Sequence, residues 1–382
     1  SYNPSNNTGY GYYGGGFRDP SSPSTGRRTL VQRIEYANDT ATAAPKGNLS
    51  AARYTLAAVS SRDFGYFAGG SVNGPNTTSL IDRLDYANDS EAATPKGGLS
   101  DGQQKFTSVG NASYGYFAGG YPGGNTSVIQ RLDYADDTTA TVAKGPLSAN
   151  QQGWSAGAGN QSYGYIAGGD PSRSRVDRID YSNDTATATQ KGSLEANRDR
   201  MGATGNASYG YFAGGSPSTS LINRIDYGND TATTSPKGNL TNAGYMFGAT
   251  GNTSYGYFGG GYYPGTPNNG QTNVLRIEYA NDTATATPKG NLSVARYAMG
   301  ATGNADFGYF GGGNPGPKST VDRLDYSNDF VTMIQKGSLS IPIHAVQASG
   351  DADFGYFAGG LDKSTVNRID YSNDTPTTSP KG

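Results

Sequence analysis

The chain has 382 residues, among them 58 glycines and 29 tyrosines, with 34% hydrophobic residues, no cysteine and a net charge of −2. The lack of cysteine excludes disulfides and thiolate chemistry. The 29 basic and 31 acidic residues form no basic block that would mark a nucleic-acid footprint, and no stretch approaches the roughly 18 apolar residues of a membrane span.

Length alone suggests roughly two or three domains, but no break in composition divides the chain, and a repeat overrides that prior. An aromatic strand closing on Gly-Gly recurs at 10–16, 64–70, 114–120, 163–169, 209–215, 255–261, 307–313 and 354–360. Each is followed by Arg-Ile/Leu-Asp/Glu-Tyr, starting at Arg33, Arg83, Arg131, Arg178, Arg224, Arg276, Arg323 and Arg368, then by a triplet like Asn-Asp-Thr, then by Lys-Gly. A period of about 48 residues means units that each pack on their neighbours. Glycine, at about twice ordinary usage, sits mostly at fixed repeat positions, which implies turns and close backbone contacts rather than disorder. Tyrosine, a large ring with a polar tip, is expected to carry much of the core.

The second copy shows the elements in order. Residues 52–60 alternate loosely and form a first strand. Phe64-Gly65-Tyr66-Phe67-Ala68 has the composition of a buried second strand, and Gly69-Gly70 ends it. After a loop, Leu80 to Tyr86 alternates again, with Arg83 and Asp85 on one face and Leu84 and Tyr86 on the other. Ala87-Asn88-Asp89-Ser90 is a turn signal, Glu91 to Lys96 a fourth strand. No window sustains a helical period. Four short strands per unit is the arithmetic of a propeller blade. The expected fold is therefore all-β: a single eight-bladed β-propeller of four-stranded antiparallel blades over 1–382, with the start at Ser1 allowing for a longer chain.

The unit resembles a kelch repeat, with an Arg-led first strand, an apolar second strand closing on Gly-Gly, and a later Tyr. Arg53, Gly69, Gly70 and Tyr86 follow that order, as do Arg296, Gly312, Gly313 and Tyr326. The family's Trp after the Tyr is missing; the one tryptophan, Trp154, stands elsewhere. The phrases Asn-Asp-Thr-Ala-Thr and Ala-Thr-Gly-Asn also resemble the Gly/Tyr-rich kelch-like repeats of virion structural proteins from marine bacteriophages.

In such a blade the second-to-third loop and the blade-to-blade loop share one face. The second-to-third loops after Gly-Gly are the variable part, and loops on a rigid scaffold are where binding usually resides. They supply the candidate ligand-binding residues Arg18, Arg27, Arg28, Tyr121, Arg173, Arg175, Tyr262, Tyr263, Asn268 and Asn269. Eight lysines, Lys46, Lys96, Lys144, Lys191, Lys237, Lys289, Lys336 and Lys381, are expected on the same side. What every copy shares is read as scaffold, represented by Arg83, Asp85, Tyr86, Gly69 and Gly70. The Arg-x-Asp/Glu pair is expected to staple neighbouring blades, and Asn-Asp-Thr to be an Asx turn with too few oxygens for Ca²⁺. Triplets such as Asn111-Ala112-Ser113 would be glycan acceptors only in a secreted eukaryotic protein.

Catalytic signals are absent. His344 is the only histidine, which excludes His-ligated copper or zinc and with them a galactose-oxidase-like site. The unrepeated carboxylates Glu195, Asp351 and Asp353 form no evident glycosidase pair. The sequence therefore reads as no enzyme and no cofactor: a binding or structural module on the outside of a particle or cell, most specifically a virion component such as a fibre tip or decoration. Its partners would be cell-surface glycans or proteins and other virion proteins, with no nucleic acid and no membrane insertion. The alternatives are a kelch-type protein-interaction adaptor and, third, a glycan-active enzyme.

Overall fold

The computed structural model describes residues 49–342, apart from 52, 54, 74–75, 86–91, 122–125, 152, 232, 267–268, 337 and 340–341, together with the strand backbones at 10–14, 31–35, 44–46, 346–350, 354–359 and 366–370. Copies 2 to 7 each fold as a four-stranded antiparallel sheet with the strands side by side in chain order. Copy 4 is typical, with strands Ala156–Gly159, Tyr163–Ala167, Val176–Asp180 and Thr189–Lys191. Its register pairs Ala156 with Ala167, Tyr163 with Asp180 and Val176 with Lys191.

The first strands form the inner wall, each lying against the first strand of the next copy, and the sheets radiate outward as the blades of a propeller. The second strand is covered on both faces by neighbouring blades. In Tyr163–Ala167 every residue after the first is buried, and the repeat fills those places with Gly, Tyr, Ile and Ala. The inner strand keeps an alternation of buried and half-buried residues. Apolar side chains collect in the seams rather than in one central core: Val109 and Tyr116 of copy 3 cluster with Ile166, Ile179 and Tyr181 of copy 4.

Two glycine sets fix the spacing. Gly168 and Gly169 close the second strand at φ +64° and +114°, a region that favours glycine; Gly169 then donates its amide to Arg198 O of the next copy at 3.0 Å. Gly145, from Lys-Gly, sits so close to the following blade that a Cβ there would lie 1.6 Å from Ala186 O.

Among the described residues, eight complete four-stranded blades do not form. Six sheets have four strands, whereas copies 1 and 8 form three-stranded sheets among the described residues. Copy 1 supplies Tyr10–Gly14, Val31–Glu35 and Ala44–Lys46, and copy 8 supplies Val346–Gly350, Phe354–Gly359 and Val366–Asp370. The repeat number counts copies of a sequence. The number of complete blades depends on which copies supply all four strands to a sheet.

Candidate functional site

The repeated charged residues belong to the seams. Asp184, in the triplet of copy 4, accepts a hydrogen bond from the Tyr116 hydroxyl at 2.8 Å and ion pairs from Arg131 at 2.8 Å and Lys144 at 3.1 Å, all from copy 3. Asp137, Asp230, Asp282 and Asp329 repeat the arrangement, with the tyrosine hydroxyl 2.7–2.9 Å away. The same tyrosine stacks on the Arg-x-Asp-Tyr tyrosine of the next copy, as Tyr116 does on Tyr181 with centroids 4.8 Å apart, and the arginine lies over the first aromatic of its own blade, Arg131 at 4.3 Å from the Tyr114 centroid. Burial pushes the Asp184 carboxyl up, but the hydrogen bonds and charges of Tyr116, Lys144 and Arg131 outweigh it and hold the group below the ordinary carboxylate range. Tyr116 is driven well above the ordinary phenol range, first by burial and then by Asp184.

These contacts refine the sequence reading. The arginine does staple blades, but its carboxylate is the triplet aspartate one copy on. The aspartate of Arg-x-Asp caps its own turn instead: Asp180 accepts the Ser182 amide at 3.0 Å. The triplet is thus more than an Asx turn. Lys96, Lys144, Lys191, Lys237 and Lys289, expected beside the ligand-binding loops, are engaged by these seam aspartates. Asn111 makes the turn between first and second strands, accepting the Ser113 and Tyr114 amides at 2.9 Å.

The second-to-third loops do share a face with the blade-to-blade entries. Tyr245 of the copy 6 entry pairs with Tyr262 of its own loop, and Gln271 farther along that loop pairs with Arg296 of the next entry. Buried arginines brace this face. Arg296 donates to Gly312 O and Thr320 O at 2.8 Å and pairs with Asp322 at 2.5 Å, while Arg53 does the same at Gly69 O, Leu80 O and Asp82.

Of the candidate loop residues, Tyr262 is half-buried on this face. It stacks on Tyr245 at 4.7 Å and takes Tyr297 edge-on at 5.0 Å. Tyr121 is half-buried and donates its amide to Gln104 O. Tyr263 is a correction: it is 5% exposed, packed edge-on against Phe247, and so supports the loop from beneath. Asn269 shapes the loop, accepting the Tyr263 amide at 2.8 Å. Arg175 is committed to Asp177, Ala149 O and Gln151, and the Arg173 backbone bridges to Arg198. Arg18, Arg27, Arg28, Asn268, Tyr86 and His344 lie outside the described residues.

A second set of residues on this face escaped the sequence reading. Thr55, Lys105, Trp154, Arg200, Met246 and Ala298 each stand two places before an inner strand, at φ between +50° and +59°. Their backbones form a belt along the channel mouth from copy 2 to copy 7. Lys105 N donates to Thr55 O, Trp154 N to Lys105 O, Arg200 N to Trp154 O, Met246 N to Arg200 O and Ala298 N to Met246 O, at 2.9–3.2 Å. The left-handed conformation favours glycine and costs other residues about 1–3 kcal/mol each. Here it carries six different side chains, all half-buried.

Trp154 and Arg200 join the loop tyrosines in one band. The Arg200 guanidinium lies 5.4 Å from the Trp154 ring centroid and pairs with Asp199 at 2.6 Å. Asp199 in turn accepts the Ser172 hydroxyl at 2.7 Å. The Tyr245 hydroxyl is pushed up by burial and by Tyr262, against the pull of Arg200. Trp154, Arg200, Tyr245, Tyr262 and Tyr297 thus run half-buried across copies 4 to 7, with the Arg200 guanidinium held by the buried Asp199 carboxylate. The available signal was one repeat position held by Thr, Lys, Trp, Arg, Met and Ala between near-identical neighbours.

No family model and no curated protein matches this chain. Among solved structures it is similar to a fungal alcohol oxidase of the AA5 family in complex with copper, with a TM-score of 0.64 and 12% identity over 85% of this chain and 77% of that one. The likeness supports the propeller fold. It also overturns the expectation of no enzyme, because the same fold carries an oxidase in that protein, and the absence of catalytic signals in a sequence does not exclude activity. Copper itself does not fit the donors found here. Among the described residues no three His, Cys, Asp or Glu side chains converge as a metal site, and the seam carboxylates are taken up by Arg, Lys and Tyr.

Proposed function

We propose that the channel mouth binds saccharides, with Trp154, Tyr245, Tyr262 and Tyr297 as stacking surfaces and the Arg200 guanidinium, held by buried Asp199, as hydrogen-bond donor to hydroxyl groups. The observation that carries this reading is the half-buried aromatic and charged band at positions where the copies diverge. Rings expose faces to sugar C–H groups while polar tips meet hydroxyls, and a strained backbone that keeps large side chains suggests they are used. Display on a cell or virion surface, toward host-surface glycans, belongs to the same proposal and is supported by the repeat phrasing.

The test uses the one tryptophan of the chain. Titration with a panel of neutral and acidic oligosaccharides should shift or quench Trp154 emission saturably, and Tyr262→Ala should weaken that response at least tenfold while leaving the unfolding midpoint nearly unchanged. Following each sugar by mass spectrometry during the titration records turnover as well as binding. An emission spectrum indifferent to every sugar would falsify the proposal.

A further inference from the structure

Three buried arginines, Arg53, Arg198 and Arg296, brace the loop face from one repeat position. In copies 2 and 7 the guanidinium meets a buried carboxylate, Asp82 at 2.6 Å and Asp322 at 2.5 Å. In copy 5 the buried Asn223 holds that place. Arg198 donates to the Asn223 side-chain oxygen, and to Gly214 O and Leu221 O at 2.7 and 3.0 Å. Its hydrogen bonds are kept, but its charge has no carboxylate beside it. Burial lowers its pKa to about 10, against the pull of Glu195, so the group is a cation at neutral pH. Glu195 is exposed, and water and salt screen its charge. A cation buried without a counter-charge in a low-dielectric wall directs its field to the nearest opening.

That opening is the Trp154 end of the mouth. Arg198 stands two residues before Arg200 of the belt, and its amide donates to Arg173 O at 2.9 Å. Arg173 is half-buried, and its Nε has no partner. Lys105 precedes Trp154 in the belt as Arg200 follows it, so the indole stands between two cations. The seam lysines are engaged by aspartates, whereas neither Lys105 nor Arg173 makes an ion pair among the described residues. Carboxylates are scarcer here. Asp199 is taken by Arg200 and Asp177 by Arg175, which leaves Asp170 as the half-buried one outside an ion pair. Copies 6 and 7 differ, with Met246 and Ala298 in the belt and Tyr245, Tyr262 and Tyr297 beside them.

We infer that the saccharides received at the Trp154 end of the mouth are anionic, with carboxylate or sulfate groups meeting Lys105, Arg173 and Arg200. The inference rests on the saccharide reading above and adds the charge of the ligand. A chain lying across the mouth meets cations at one end and uncharged rings at the other.

Calorimetric titration of the full chain with a dextran oligosaccharide, and with its carboxymethylated and sulfated forms, tests this. The charged forms should bind about tenfold tighter than the neutral one, with a preference that shrinks as salt rises. Asn223→Asp installs the carboxylate that copies 2 and 7 carry. It should leave the unfolding midpoint undiminished and neutral binding unchanged, while cutting the preference severalfold. Lys105→Thr, which borrows Thr55 of copy 2, should weaken binding of the charged forms without touching the buried arginine. The tighter of the two charged forms identifies the group received. Equal affinity for all three sugars overturns the inference and leaves saccharide binding standing. A preference that survives both substitutions overturns it as well, because the charge is then read elsewhere. So does displacement of the sulfated sugar by an equal concentration of inorganic sulfate, because the ion alone is then what binds. No response to any of the three overturns the saccharide reading with it.

Discussion

At Asp184 and at Trp154 the same repeat does opposite things. Around Asp184 four seam residues recur from copy to copy with bond lengths that scarcely vary. Around Trp154 the backbone recurs, with the same φ and the same belt of hydrogen bonds, while the side chain changes in every copy. Where side chains and geometry repeat together, the repeat is serving packing. Where geometry repeats and side chains do not, the scaffold is holding a set of positions for something else.

The sharpest way to test this contrast is to cut a seam. Asp230→Ala leaves Arg178 and Lys191 uncompensated and the Tyr165 hydroxyl without its acceptor. Breaking a buried ion pair from one side typically costs about 3–5 kcal/mol, and the urea midpoint should fall accordingly. Gly145→Ala places a methyl against the Ala186 carbonyl and should cost about 1–3 kcal/mol, as overpacking does; a thermal melt unchanged from the parent would show that the blades are free to separate. The seams should also titrate. Asp184 and Asp230 have folded pKa values held below the ordinary one, so their contribution is complete above about pH 4, the unfolded value, and is lost as pH falls through the depressed folded value. Urea midpoints measured from pH 6 down should decline in that acid window, less steeply in Asp184→Asn.

The mouth should behave otherwise. Arg200→Ala leaves the buried Asp199 with the Ser172 hydroxyl as its remaining side-chain partner and should cost about 1–2 kcal/mol, less than cutting a seam, while its saccharide response drops markedly. A large loss of stability there would make the mouth part of the scaffold. Ala298→Gly relieves a left-handed alanine at φ +50°; relief of strain against added chain entropy predicts a gain of about 0.5 kcal/mol, opposite in sign to the seam exchange at Gly145.

Much of the blade was legible in the sequence because its determinants are local. The second strand falls at Phe64–Ala68 as read, and the third shortens only to Ile81–Asp85. The fourth, read over 91–96, contracts to Thr94–Pro95, since little of it is held by a neighbour within the blade. The hub at Asp184 was half legible. Its aspartate recurs even where the flanking Asn or Thr does not, as in Asp136-Asp137-Thr138, but its partners lie one copy away, where residue spacing carries no label. The mouth residues were hidden because a left-handed backbone at Trp154 or Lys105 has no compositional mark; only glycine or asparagine would have announced it. The blade count differed for a related reason, since the sequence repeat marks copies 1 and 8 as it marks the others, although only three strands of each form among the described residues.

The belt of amides from Thr55 to Ala298 has a mechanical consequence. Each link donates in the same rotational sense, so none of copies 2 to 7 can widen its part of the rim without stretching a bond to its neighbour. Side chains mounted on it are held at set intervals, like the pins of a lock barrel. Exchanging one of them changes a side chain of the proposed saccharide site while leaving the interval to its neighbours as it was.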